Sequence, residues 1–102
     1  MPYAPLLTAG ELQDELARLP EWTLEGEAIV RTVRCPSFRD AIGLVNAVAD
    51  AAEEADHHPD IAIVWRRVSF RLTSKASGGL TARDVALAAR IDALVSAAEP
   101  AT

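Results

Sequence analysis

Apolar residues recur at helical spacing directly after short capping patterns in three segments of the chain. The first segment opens with Thr8 and Glu11, a pair typical of a capping box, and Pro20 ends it. Its apolar positions, three or four residues apart, are Leu12, Leu16 and Leu19. This pattern predicts a short first helix.

Two longer segments also begin with a capping pair and continue with apolar residues at helical spacing. Ser37 with Asp40 resembles a cap, and the helix that follows runs to about residue 56. Thr81 with Asp84 caps a final helix. The stripe predicted to face the core in the second helix is Phe38, Ile42, Val45, Ala49 and Ala52. In the third helix it is Val85, Ala88, Ile91 and Val95.

Between the helices lie two pairs of short segments that are typical of strands. Residues 22–24 and 29–33 form the first pair, with a break at Gly26. Residues 61–65 and 68–72 form the second pair. In the first segment Ile61, Ile63 and Trp65 alternate with smaller residues, and in the second apolar and polar residues alternate. Each pair predicts an antiparallel hairpin.

The order of these elements is α-β-β-α-β-β-α. It predicts an α+β fold in which a four-stranded antiparallel sheet carries all three helices on one face. A chain of 102 residues is long enough for one hydrophobic core, so we expect a single domain over residues 1–102. The other sheet face would be uncovered, which favours self-association, so we expect a homodimer or homotetramer.

Composition is that of a globular protein, with half of the residues apolar and a quarter charged. The net charge of −5 argues against a nucleic-acid ligand, because such ligands are usually bound by a basic surface. We expect a cytoplasmic protein with no membrane contact, since no apolar run approaches the roughly 20 residues of a span and no secretory signal is visible. The single cysteine, Cys35, predicts no internal disulfide.

Titratable side chains are concentrated where the second helix ends. The segment contains both histidines of the chain, and its members are Glu53, Glu54, Asp56, His57, His58 and Asp60. An imidazole gives or takes a proton near neutral pH, and an adjacent carboxylate fixes its tautomer. The segment is therefore a candidate acid/base site.

Two other interpretations of this segment stay open. A histidine at the end of a helix can simply place favourable charge at the negative pole of the helix dipole. A metal ion could also bind, although adjacent histidines diverge in direction and no third histidine or nearby cysteine completes a zinc site. Its ligands would be Asp56, His57, His58 and Asp60. We predict no metal and no cofactor.

The spacing of these residues resembles that of the pterin-4a-carbinolamine dehydratases, and the resemblance covers almost the whole chain. The matching positions are Glu53, His57-His58-Pro59, Trp65 and Asp84. Residues 79–84 and the early segment Leu19-Pro20-Glu21-Trp22 are also similar to the family. We therefore expect the fold and the reaction of that family.

The resemblance implies dehydration of 4a-hydroxytetrahydropterin to quinonoid dihydropterin, which regenerates the cofactor after an aromatic amino acid hydroxylase has used it. Loss of the C4a hydroxyl needs a proton donor, and the C4a–N5 double bond forms as a base takes the N5 proton. By resemblance, His57 and His58 make these transfers without a metal or prosthetic group. Glu53 and Asp84 would orient the catalytic groups.

The resemblance also implies which residues contact the pterin. Besides the two histidines, these are Trp22, Asp56, Thr73, Ser74, Lys75 and Ala76. Judged by its strand position alone, Trp22 is more typical of a core residue.

The chain departs from the family at Lys75, which stands where the family usually has a third histidine. A lysine has an ordinary pKa of about 10.4 and cannot act as a base near neutral pH unless burial lowers that value. It can still place positive charge near a departing hydroxide. One hypothesis is an enzyme slowed about 10 to 100-fold by this substitution. The alternative is a weakened or inactive relative that serves as a protein-binding or assembly module.

Overall fold

The structure is a computed structural model that describes residues 4–98. Its element order confirms the predicted α-β-β-α-β-β-α arrangement, with a short 3-10 turn at Lys75–Ser77 before the last helix. The helices are α1 (Ala9–Ala17), α2 (Phe38–Ala55) and α3 (Ala82–Ala98). The strands are β1 (Thr23–Glu25), β2 (Ala28–Arg34), β3 (Asp60–Val64) and β4 (Arg67–Leu72).

The four strands form one antiparallel sheet in the order β1-β2-β4-β3. In the central strand β4, alternate residues are buried against the helices, and these are Val68, Phe70 and Leu72. Phe70 lies opposite Arg31 of β2 and Ile61 of β3. The predicted α+β fold, with the helices on one face of an open sheet, is confirmed.

Two helices begin where their capping patterns predicted. The backbone amide of Thr8 donates to Glu11 Oε1 at 2.8 Å, and the amide of Glu11 donates to Thr8 Oγ1 at 3.1 Å. At the start of α2, Ser37 Oγ accepts from the backbone amide of Asp40 at 3.0 Å. These bonds satisfy amides that have no partner inside the helix, so they fix where the helix starts.

Helix α2 turns a different face to the sheet from the one that its apolar pattern predicted. Its buried residues are Ala41, Leu44, Val48, Ala51 and Ala52. Of the predicted stripe, only Ala52 is buried, while Phe38 is 53% exposed, Ile42 and Val45 are half-buried and Ala49 is exposed. The prediction was wrong because α2 carries two adjacent apolar stripes, and periodicity does not say which one meets the sheet.

In α3 the predicted stripe is confirmed, because all four of its residues are buried: Val85, Ala88, Ile91 and Val95. Within residues 4–98, no helix combines the length and the apolar character that a membrane crossing requires.

The sheet face without helices is largely polar. Thr32 Oγ1 and Ser69 Oγ form a hydrogen bond of 2.9 Å across β2 and β4, and Arg71 lies 3.7 Å from Glu25. Asp60 stands opposite Arg71 in the adjacent strand. This face therefore offers little apolar surface for self-association, and the oligomeric state stays a prediction.

Candidate active site

A tight backbone turn ends α2 directly before the two histidines. Asp56 adopts a left-handed conformation, with φ 50° and ψ 44°. The amide of Asp56 donates to the carbonyl of Glu53 at 3.2 Å, and the amide of His57 donates to that of Ala52 at 3.1 Å. This is a Schellman-type ending, in which the left-handed residue is usually glycine. Because a side chain there costs about 1 kcal/mol, neighbouring contacts must hold the turn.

Arg83, at the start of α3, supplies one such contact. Its guanidinium donates a hydrogen bond to the backbone carbonyl of Asp56. Arg83 was not among the predicted site residues, although its position directly before Asp84 was a signal that it would lie near the site. We infer that Arg83 fixes the turn from which both histidines project.

His57 points inward and meets a fully buried carboxylate. Its Nε2 lies 2.5 Å from Asp84 Oδ1, and His57 itself is only 9% exposed. A carboxylate in this position accepts the Nε2 proton, which fixes the orientation of the ring and leaves Nδ1 as the nitrogen able to accept another proton. Nδ1 is therefore the ring nitrogen of His57 that Asp84 leaves available.

The second oxygen of Asp84 is held by two further donors. Asp84 Oδ2 accepts from Ser74 Oγ at 2.8 Å and from the backbone amide of Thr81 at 2.9 Å. The hydroxyls of Ser74 and Thr81 are themselves 2.8 Å apart. A buried carboxylate is tolerated when it is hydrogen-bonded in this way, so the network keeps Asp84 in place.

Ser74 is part of this network, and its predicted pterin contact stays a prediction. Its hydroxyl is buried against Asp84 rather than presented on the surface, and its backbone amide donates to Gly79 at 3.0 Å. Thr81 was recognised from the sequence only as a helix cap. Its part in the network follows from the same capping pattern, because residue N3 of that pattern is Asp84.

His58 points outward and has its own carboxylate. Its Nε2 lies 2.5 Å from Glu53 Oε2, one turn back along α2. The two side chains are 57% and 76% exposed, respectively. The site thus contains two histidine–carboxylate pairs on adjacent residues, one buried and one in contact with solvent.

Thr73, Lys75 and Ala76, predicted to contact substrate, lie between β4 and α3. Lys75 and Ala76 are exposed on the 3-10 turn, and Thr73 Oγ1 donates to the carbonyl of Glu27 at 2.6 Å. Thr73 and Lys75 line a cleft of about 510 Å³. The other residues that line it are Gly26, Glu27, Arg71, Gly78 and Gly79. Ser74, between Thr73 and Lys75 in the chain, connects this cleft to Asp84.

Trp22 lies in the core. It is 5% exposed, and its indole N–H donates to Asp92 Oδ1 at 2.8 Å. Asp92 is eight residues beyond Asp84 in α3, about 12 Å along the helix axis. The same oxygen accepts from Arg31 of β2 at 2.5 Å. The core position is thus the one observed, and a pterin contact by Trp22 stays a prediction.

The residues of the alternative metal site, Asp56, His57, His58 and Asp60, are not arranged around a common point. Within residues 4–98, no three histidine, cysteine, aspartate or glutamate side chains are placed to hold a metal ion. Each imidazole Nε2 is instead paired with a carboxylate.

Residues 5–94 match the family model described as pterin 4 alpha carbinolamine dehydratase. The chain belongs to this family. A relative from Nocardia farcinica is 52% identical over 89 residues, which cover 87% of this chain and 94% of the relative. One from Chloroflexus aurantiacus is 48% identical over 91 residues, covering 89% and 98%. Both carry pterin-4-alpha-carbinolamine dehydratase as a provisional name.

Solved structures show the same fold. The transcriptional coactivator/pterin dehydratase of Brucella melitensis has a TM-score of 0.84 and 32% identity, covering 88% of this chain and 98% of its own. A pterin dehydratase-like protein identified as a RuBisCO assembly factor in the alpha-carboxysome has a TM-score of 0.60 and 24% identity, covering 72% and 86%. The second likeness concerns the fold alone. The dehydratase fold therefore occurs in proteins described by different activities.

Proposed function

We propose that the chain dehydrates 4a-hydroxytetrahydropterin to quinonoid dihydropterin and so recycles the cofactor of an aromatic amino acid hydroxylase. The observation that carries this proposal is the buried contact of 2.5 Å between His57 Nε2 and Asp84, next to a second pair formed by His58 and Glu53. Membership of the dehydratase family supports the reaction class.

The reaction needs one proton delivered and one proton removed. The C4a–O bond breaks as the hydroxyl is protonated and leaves as water, and the C4a–N5 double bond forms as N5 loses its proton to a base. One histidine therefore ends each turnover protonated and the other deprotonated. Because His58 is in contact with solvent, water can restore the starting state of the pair.

Asp84 has a positioning role in this proposal. It holds His57 in one tautomer and stabilises the imidazolium that forms when Nδ1 takes a proton, while Ser74 and Thr81 hold Asp84. Glu53 serves His58 in the same way, although from an exposed position. The hydroxyl of Ser74 thus acts through Asp84.

The cleft beside Lys75 is the proposed place for part of the pterin. Thr73 and Lys75 line it, Ala76 lies on the same 3-10 turn as Lys75, and Asp56 directly precedes His57. The exposed ammonium of Lys75 places positive charge beside the oxygen that leaves C4a, where the family usually has an imidazole. We propose that Lys75 permits the reaction at a reduced rate.

A protein-binding or assembly role is the second candidate. It is favoured by Lys75 and by the likeness in fold to a protein identified as a RuBisCO assembly factor. The two intact histidine–carboxylate pairs favour the enzyme, because a binding role gives no reason to keep two adjacent imidazoles that are each paired with a carboxylate.

We also propose that the chain forms a homo-oligomer through the exposed stripe of α2, which consists of Phe38, Ile42, Val45 and Ala49. This stripe is apolar and is not fully covered within the single chain, so a second copy packed against it would remove it from water. Sedimentation equilibrium at micromolar concentration should show dimer or tetramer, and a Phe38→Asp variant should shift it to monomer. A wild-type monomer would contradict the proposal.

The function is tested by generating 4a-hydroxytetrahydropterin enzymatically and following its dehydration by ultraviolet absorbance. The wild-type protein should accelerate the reaction far above the rate without protein. A His57→Ala, His58→Ala double variant that keeps its circular dichroism spectrum should return to that background. Arg67→Ala, on the polar face of β4, is the matched control and should stay active. Background rates with folded wild-type protein would favour the assembly role.

A further inference from the structure

Residues 4–7 precede α1 and lie against the loop that joins β4 to α3. Leu6 forms an isolated antiparallel bridge with Thr81. The backbone amide of Leu7 donates to the carbonyl of Leu80 at 2.9 Å. We refer to residues 4–7 as the N-terminal strap. The proposed dehydration gives this strap no role, although the loop that it contacts carries several of the predicted pterin contacts.

Two side-chain contacts extend the attachment of the strap to the middle of the loop. Ser77, the last residue of the 3-10 turn that starts at Lys75, donates from Oγ to the carbonyl of Ala4 at 2.6 Å. Leu6 lies over Gly79, where an added Cβ would be only 3.2 Å from Leu6 Cδ2. The strap therefore contacts both the 3-10 turn and the residues that follow it.

Within the loop, Ser74 connects the 3-10 turn to the buried carboxylate. Its backbone amide donates to the carbonyl of Gly79 at 3.0 Å. Its carbonyl accepts from the amides of Ser77 and Gly78, both at 3.0 Å. Its hydroxyl donates to Asp84 Oδ2 at 2.8 Å. Because these bonds close the loop on itself, a contact on its outer side restrains the whole turn.

The outer side of the loop has few other attachments. In the described part of the chain, the bond from Ser77 to the strap is the one side-chain hydrogen bond that joins residues 75–79 to another segment. Lys75 and Ala76 are exposed on the same turn. The placement of these two residues therefore depends on how firmly Ser77 is held.

We propose that the N-terminal strap positions the wall of the substrate cleft, and that Ser77 is the positioning residue through which it acts. Ser77 does not line the cleft, whereas Lys75, two residues before it, does. A turn held by the strap presents Lys75 to the pterin in one arrangement. A released turn must be ordered each time substrate binds, and this ordering weakens binding. The inference rests on the proposed function, because the pterin site is itself proposed.

The first test measures hydrogen exchange and does not depend on activity. Ser77→Ala removes the hydroxyl that holds the turn, so the amides of Gly78 and Gly79 should exchange about tenfold faster. The amide of His57, at the end of α2, should keep its rate. Ser69→Ala is the matched control, because it removes a hydroxyl contact on the polar sheet face. Unchanged exchange at both glycines in Ser77→Ala would overturn the proposal.

A variant of the strap itself tests the contact from the other side. Leu6→Ala shortens the side chain that covers Gly79, so the Gly79 amide should exchange about threefold faster. Leu24→Ala in β1 is the matched control, because the two leucines have similar exposure, 53% for Leu6 and 47% for Leu24. Equal exchange rates at Gly79 in the two variants would contradict a role of the strap.

The closing test separates substrate binding from chemistry in the dehydration assay. Ser77→Ala should raise KM about fivefold, and kcat should stay within about twofold because His57 and His58 project from a different turn. Ser77→Thr keeps the hydroxyl and should restore KM. In a Lys75→Ala background, Ser77→Ala should raise KM no further, since both changes act through the same turn.

The outcomes distinguish this inference from the proposed function. Active wild-type protein with an unchanged KM in Ser77→Ala would overturn the inference and leave the function standing. Additive effects of Ser77→Ala and Lys75→Ala would also overturn it. Wild-type protein without activity would contradict the proposed function, and the exchange rates at Gly78 and Gly79 would then decide whether the strap holds the turn.

Discussion

The two histidine–carboxylate pairs have the same nitrogen–oxygen distance, 2.5 Å, but very different surroundings. Asp84 is fully buried and its second oxygen accepts from Ser74 and Thr81. Glu53 is 76% exposed and lies on the outer face of α2. Contact distance alone therefore does not determine how much an ion pair contributes to stability. Burial and further hydrogen-bond donors decide how firmly its side chains are held.

The two pairs differ because water competes for the charged groups at the surface and is excluded in the interior. At the surface, water and salt screen the attraction and two flexible side chains lose entropy when they pair, so such contacts contribute little. In the interior the attraction is stronger, but removal of one partner leaves a buried polar group without compensation. The two halves of the site should therefore respond differently to the same substitution.

The largest expected difference is in catalysis by the histidines themselves. We expect His57→Ala to lower kcat/KM for dehydration about 1,000-fold and His58→Ala about 100-fold, within the usual range for one acid or base. The larger loss belongs to His57 because its ring is fixed by Asp84, whereas solvent water can partly replace His58. Arg67→Ala should match wild type, and a larger loss for His58→Ala would reverse the comparison.

Removal of the two carboxylates should also have different effects on the stability of the fold. Asp84→Ala leaves Ser74, Thr81 and His57 without their shared acceptor, so we expect the free energy of unfolding to fall by about 3 kcal/mol. Glu53→Ala should lower it by less than about 1 kcal/mol. Urea denaturation of both variants gives the two values. Equal losses would mean that burial does not distinguish the pairs.

A substitution at Lys75 tests whether this departure from the family limits the rate of dehydration. Lys75→His should raise kcat/KM about tenfold, because an imidazole can exchange protons near neutral pH and an exposed ammonium cannot. Arg67→His, a cation replaced on the polar sheet face, is the control and should have no effect. An unchanged rate in Lys75→His would show that Lys75 does not limit the reaction.

The smallest expected effect is the response of stability to salt. Raising ionic strength from about 0.01 to about 1 M shortens the Debye length from about 30 to about 3 Å. The small stability difference between wild type and Glu53→Gln should then disappear, while the difference for Asp84→Asn should remain. Denaturation at both ionic strengths measures this, and equal salt dependence would contradict the assignment of His58–Glu53 as the solvent-screened pair.

The same contrast explains what the sequence could predict. Helix starts at Thr8 and Ser37 depend on residues three positions apart, and they were predicted correctly. The element order and the sheet follow from local periodicity, and so does the buried stripe of α3. The stripe of α2 was predicted wrongly because its neighbouring stripe is just as apolar, so the choice depends on packing against the sheet.

The site shows a similar limit. Resemblance to the family brought Glu53, His57, His58 and Asp84 together as candidates, but it did not show which histidine turns inward. That choice depends on the left-handed conformation of Asp56, which a non-glycine residue rarely adopts and which Arg83 supports from another helix. Ser74 joins Asp84 from ten residues away through a loop closure that no local pattern indicates.

The most direct test of this account compares Asp84→Asn with Glu53→Gln in the dehydration assay. Both variants replace a carboxylate at 2.5 Å from an imidazole with an amide of the same shape. The amide group that replaces the buried carboxylate would favour the wrong tautomer of His57, so we expect Asp84→Asn to lose about 100-fold or more, whereas Glu53→Gln should lose less than about tenfold. Equal losses, or full activity in Asp84→Asn, would contradict the claim that the buried His57–Asp84 pair is the centre of the reaction.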